Sequence, residues 1–183
     1  MTSTEPVLLR LRFLGEAMGT LAYRADLPAC ALELDRAFIA QGHDVSPVHL
    51  ALETFASGPR IFRPGDTPFA AGLPGLIADS LPDAWGERML RLELPGLQTV
   101  MGKLAAIGRR GPGAITFEPV LGAGADDQTS TASLAALARD VDALRASPTP
   151  LASDQVNALL TRGGSSLGGA WPKISAHLPL TGE

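Results

Sequence analysis

Glycine and proline punctuate this chain too often for long helices. The 183 residues include Gly 20 and Pro 15. An interior proline removes a helix hydrogen bond and clashes with the turn before it, and an interior glycine costs about 1 kcal/mol relative to alanine. The chain must therefore fold as short elements joined by many turns. It is 45% hydrophobic and 19% charged, enough apolar material for a packed core and too little charge for a disordered chain. Its length suits one domain with, at most, a small annex.

Read from the N-terminus, Leu9, Leu11 and Phe13 alternate with Arg10 and Arg12, the period of a half-buried strand over residues 7 to 14. Gly15-Glu16 reads as a turn and Met18 to Tyr23 as a second strand, which makes a hairpin. Leu32 to Asp35 is a further short strand candidate, while Phe38 and Ile39 suit either a helix or a strand. Residues 57 to 74, rich in Pro and Gly, read as an ordered loop. A short helix runs to about Ser80 and another starts near Pro82, since proline fits a first helical position. Leu81, Trp85, Met89 and Leu92 then form a buried stripe, and Glu87 and Arg91 are spaced as an i,i+4 ion pair. Residues 98 to 107 are helical, and Ala114 to Val120 a strand. Leu9, Leu11, Phe13, Leu81, Trp85, Met89, Ile115 and Phe117 are expected in one core.

The remaining third is organised differently. Gly122 to Thr131 is a Gly, Ala, Asp, Ser and Thr linker. It separates residues 1–121 from residues 132–183. In the latter, Leu134, Leu137, Val141 and Leu144 share one helix face, a second helix follows from Asp154 to about Leu160, and Ile174 to Leu178 alternates as a strand.

Composition excludes several functions. The net charge is −4, with 15 basic against 19 acidic residues, and aromatics make up 5%. Neither a basic face nor a stacking platform for nucleic acid is expected. Cys30 is the only cysteine, so no intrachain disulfide can form, and its apolar neighbours predict a buried, inert thiol. Met1 to Pro6 lacks the basic and apolar regions of a signal peptide, and no apolar run approaches the ~20 residues of a membrane helix. The expectation is a cytoplasmic protein.

Three clusters bear on chemistry. Gly163-Gly164-Ser165-Ser166-Leu167-Gly168-Gly169-Ala170-Trp171-Pro172-Lys173 has backbone N–H groups free to turn toward an anion, with a lysine at its end. Ala170 stands where a Walker loop needs lysine, and a helix precedes the run where a dinucleotide fingerprint needs a strand. A glycine loop feeding a strand is nearer the phosphate-covering loop of protein kinases. A flexible turn is the plainer reading. The second cluster is Asp79 to Arg88, where Asp79 and Asp83 form a carboxylate pair. Acidic residues in a helix's first turns account for Asp83 and Glu87 through the macrodipole, and neither histidine nor metal spacing accompanies them. The third is Gly108-Arg109-Arg110-Gly111-Pro112-Gly113-Ala114, two arginines in a glycine turn that either bind an anion or simply lead into a strand. His43, His49 and His177 have no metal-site spacing.

Taken in order, Phe69 to Arg88 (with Gly72-Leu73-Pro74 and Asp79-Ser80-Leu81-Pro82-Asp83-Ala84-Trp85-Gly86), Ile107 to Ala114, and Ser166 to Lys173 resemble the N-terminal region of the HipA family. These are bacterial serine/threonine kinases, the toxins of toxin–antitoxin pairs. The resemblance implies an α+β N-terminal lobe, a small mixed or antiparallel sheet flanked by short helices. It also implies that Ser166 matches the family's autophosphorylated serine. Leu167, Gly168, Gly169, Ala170, Trp171, Pro172 and Lys173 match the loop over the ATP phosphates, with Trp171-Pro172 a variable step.

The family's full-length members use ATP and Mg. Their phosphate-gripping lysine, catalytic-loop Asp and metal-binding Asp correspond to positions past residue 183. On this reading the chain is catalytically incomplete alone and binds neither ATP nor Mg tightly. Its implied partners are a helix–turn–helix antitoxin and a kinase catalytic lobe. A rival reading is a stand-alone regulatory subunit that binds and restrains a separate HipA-like kinase. A third, an unrelated enzyme with Ser165 or Ser166 as nucleophile, lacks any recognisable His–Asp pair.

Overall fold

The computed structural model describes residues 7–24, 29–66, 72–94, 96–109, 111 and 113–119, with the single positions 139 and 142. Among them, five strands form one antiparallel sheet in the order β4-β3-β2-β1-β5. They are β1 (Val7–Phe13), β2 (Glu16–Arg24), β3 (Ala29–Leu34), β4 (Arg60–Phe62) and β5 (Ile115–Pro119). Helices α1 (Arg36–Gln41), α2 (Gly75–Ala78), α3 (Ala84–Glu93) and α4 (Val100–Ile107) are short, and a single 3-10 turn spans Leu52–Phe55. The fold is α+β, as the resemblance implies, and its elements are short, as the density of turn residues requires.

Alternation fixes which face of the sheet is wet. Leu9 and Leu11 of β1, Leu21 of β2, Leu32 of β3 and Phe117 of β5 are all at most 1% exposed. Each such side chain contributes roughly 1.5–3 kcal/mol on leaving water. They join one cluster with Phe38 of α1, Ile77 of α2, and Met101 and Leu104 of α4. Arg10, Arg12, Thr20, Glu33 and Glu118 occupy the alternate positions and lie on the other face. One face packed and one solvated is the usual antiparallel arrangement.

The β1–β2 hairpin closes through Leu14 and Gly15, both at positive φ (51° and 87°). Phe13 pairs with Glu16, so the turn is Leu14-Gly15, one residue earlier than the sequence pattern suggests, and β2 opens at Glu16, two residues before Met18. Two central residues at positive φ match the right-handed strand twist, and Gly15 alone would not have revealed the partner position. The register also slips between Leu11 and Arg12, where Gly19 and then Ala17 are their partners. Met18 is the extra residue of this bulge. At Gly19 the chain passes so close to β3 that an added Cβ would lie 2.1 Å from the Glu33 carbonyl oxygen.

Other boundaries depart from the sequence reading. The third strand is Ala29–Leu34, and Asp35 leaves it to become the N-cap of α1. The segment expected to be wholly loop contains β4, which pairs Arg60, Ile61 and Phe62 with Leu32, Ala31 and Cys30. Three residues surrounded by Pro and Gly carry too little pattern to be seen. Helix α3 starts at Ala84, because the Asp83 carboxylate accepts from the Gly86 N–H at 2.8 Å and makes Asp83 the cap. Pro82 therefore precedes the cap instead of opening the helix.

The sheet and its covering helices belong to one compact unit, Met1–Leu81 with Thr99–Ala125; α3 belongs to a second, Pro82–Gln98 with Asp126–Glu183. This corrects the expectation of one shared core. Leu9, Leu11, Ile115 and Phe117 are in the sheet's cluster, and Phe13 and Leu81 pack against it. Trp85 and Leu90 of α3 are buried (each 7% exposed) but are not members of that cluster. The Met89 and Leu92 side chains lie outside the described residues.

Candidate functional site

The residues expected to face a nucleotide, Ser166, Leu167, Gly168, Gly169, Ala170, Trp171, Pro172 and Lys173, lie outside the described residues, as do the linker, the helices after it apart from positions 139 and 142, the strand 174–178, Arg110 and His177. The clusters that can be placed are the arginine turn, the two aspartates and the polar face of the sheet.

The arginine turn begins where α4 ends. Thr99 caps the helix start by accepting from the Gly102 N–H at 3.1 Å, and the Gly108 N–H closes its end on the Leu104 carbonyl. Gly108 then takes φ 53°, ψ −112°, a conformation that a Cβ disfavours. This conformation aims the Gly108 carbonyl at β5, where it accepts from the Phe117 N–H at 3.0 Å. The glycine turn thus ties α4 to the outer edge of the sheet. Arg109 follows it and is exposed.

Both aspartates stand at helix ends, Asp79 through its backbone and Asp83 through its carboxylate. The Asp79 N–H closes α2 on the Gly75 carbonyl, and Asp83 caps α3. Glu87 stands in the first turn of α3 and meets Arg91 at 3.7 Å, a pair whose arginine is 75% exposed and which adds little. Of the Asp79 and Asp83 carboxylates, that of Asp83 is engaged as a helix cap.

On the outer face of the sheet, Arg10 donates to Thr20 Oγ1 at 2.9 Å, its direct cross-strand partner, and to Asp35 Oδ2. Arg12 donates through Nε to Glu118 Oε1 at 2.9 Å and through Nη1 to the Gly15 carbonyl at 3.0 Å. Glu118 stands opposite Arg10 in register, so the Arg12 contact is diagonal. Asp35 makes no side-chain cap for α1, because its carboxylate is taken by Arg10. These groups bind one another across β1, β2, β5 and the start of α1, and they hold the register of the sheet.

Sequence reasoning missed two features that matter to this frame: the close approach at Gly19, and strand β4 with its Arg60. Arg60 lies over the Phe55 and Phe62 rings at 5.7 and 5.1 Å and donates to the His49 carbonyl at 2.8 Å and to Thr54 Oγ1. It fastens the loop between α1 and β4 to the sheet edge. A glycine inside a strand does signal a bulge or a close approach, and Gly19 was legible on that ground. Cys30 is buried, and burial pushes its thiol up to about 12, which makes it inert as expected. Among the described residues no group of three or more His, Cys, Asp or Glu could hold a metal ion, and no helix is long and apolar enough to cross a membrane.

The sheet defined by these contacts also falls within a match to a known family. A family model described as HipA N-terminal domain matches residues 9–118. The chain belongs to this family. The match opens at Leu9 in the core of β1 and ends at Glu118, the residue held by Arg12, so the matched span takes in part or all of each of the five strands. It includes two of the three resembling segments, Phe69 to Arg88 and Ile107 to Ala114, and stops before Ser166 to Lys173. No curated protein and no solved structure shows a significant match.

Proposed function

We propose that this chain supplies the N-terminal lobe of a HipA-like serine/threonine protein kinase, the toxin of a toxin–antitoxin pair, and that it is catalytically incomplete by itself. The family match over residues 9–118, which coincides with the sheet, carries this reading. The run from Ser166 to Lys173 follows in the order such a kinase requires, with glycines to approach the phosphates of ATP and a lysine to neutralise them. Ser166 would be the serine that an intact kinase phosphorylates. Phosphoryl transfer depends on a bound metal and a positioned acceptor, and a lobe lacking the carboxylates for both cannot perform it. A helix–turn–helix antitoxin and the catalytic lobe are the proposed partners.

Two measurements test this. Purified chain with ATP and Mg should incorporate no phosphate at Ser166 and bind ATP no better than ~1 mM, about 4 kcal/mol. Micromolar binding abolished by Lys173→Ala would overturn the half-site reading. The DNA after codon 183 decides between the rivals. An open frame with further kinase motifs supports the lobe; a stop followed by a separate kinase gene supports a regulatory subunit that restrains it.

A further inference from the structure

We draw no further inference here: the strongest candidate, the apolar row of Leu8, Ala22, Ala31 and Ile61 across four strands on the sheet face opposite the core, carries nothing because nothing in the structure shows what covers it.

Discussion

Gly19→Ala is the most demanding test of the sheet. The added Cβ would stand 2.1 Å from the Glu33 carbonyl oxygen, 3.0 Å from Leu34 Cα and 3.1 Å from Glu33 C. All three are backbone atoms, so no side chain can rotate away. An ordinary carbon contact needs about 3.5 Å, so β3 must retreat by more than ~1 Å there. The retreat pulls on Met18 and Leu34, both buried, and on the bond from the Asp35 N–H to the Met18 carbonyl at 2.9 Å. Overpacking of this kind costs about 1–3 kcal/mol, and a lost backbone hydrogen bond about 1 more. Against this stands a gain of roughly 0.4–1 kcal/mol from a stiffer unfolded chain. The expected net loss is about 2–3 kcal/mol, a large share of the ~5–15 kcal/mol that a domain has. Gly75→Ala is the matched control: the same atom is added at the start of α2, where nothing lies within 4 Å, and should be neutral or stabilising by up to ~1 kcal/mol. Urea titrations followed by far-ultraviolet circular dichroism give both values. If Gly19→Ala unfolds within 0.5 kcal/mol of wild type (on the order of the error of such titrations) with the same slope, the close approach of β2 and β3 at this glycine is wrong.

Three further outcomes follow from other positions. Leu14 holds φ 51° at the hairpin tip with 75% of its surface exposed, so Leu14→Asn should stabilise by about 1 kcal/mol; a lower urea midpoint would refute the left-handed turn. Trp85→Ala should cost about 3–5 kcal/mol in unfolding, and a loss under ~1 kcal/mol would contradict its burial. The Cys30 thiol titrates at 9.0 unperturbed and about 12 when folded. Its neutral form is thus favoured by folding, and this stability is complete below pH 9.0 and falls as pH rises toward 12, by up to about 1.4 kcal/mol per pH unit. Urea unfolding between pH 8 and 10.5 should show a steeper alkaline loss for wild type than for Cys30→Ala, and equal slopes would disprove it (the window spans roughly the free thiol's titration).

Period-two patterns made β1 and β5 legible, because Leu9, Leu11, Ile115 and Phe117 alternate with charged or polar residues and each face has one fate. The existence of α3 and α4 was legible but not their caps: the sequence pattern opens them near Pro82 and at residue 98, whereas Asp83 and Thr99 cap them. What failed was whatever depends on a distant partner. Asp35 looks like the end of a strand, and only the folded sheet brings Arg10 to its carboxylate, 25 residues away in sequence. Strand β4 exists because β3 offers it a ladder and Arg60 anchors it on two aromatic rings, and neither fact is local. The Leu14 conformation was hidden for another reason: leucine is a poor choice for positive φ, so local propensity argues against what the hairpin imposes.

In the two motifs inside the matched span, contacts among the described residues serve the fold. Asp83 in the first is a helix cap, and Gly108 in the second turns its carbonyl onto the Phe117 N–H. That bond has a purpose of its own. An edge strand exposes unpaired donors that invite another chain, and β5 lies at the edge of the sheet. Gly108 occupies the Phe117 donor, and Pro119 has no donor to offer. At the opposite edge β4 is only three residues long, which limits pairing by length. A substitution at Gly108 would therefore loosen the join between α4 and β5 without touching any reacting group. The proposed kinase role draws instead on the run from Ser166 to Lys173, whose sequence supplies glycine, hydroxyl and cation. Mutations in residues 9–118 should change stability first, whereas Lys173→Ala should leave stability intact and act only where a nucleotide is bound.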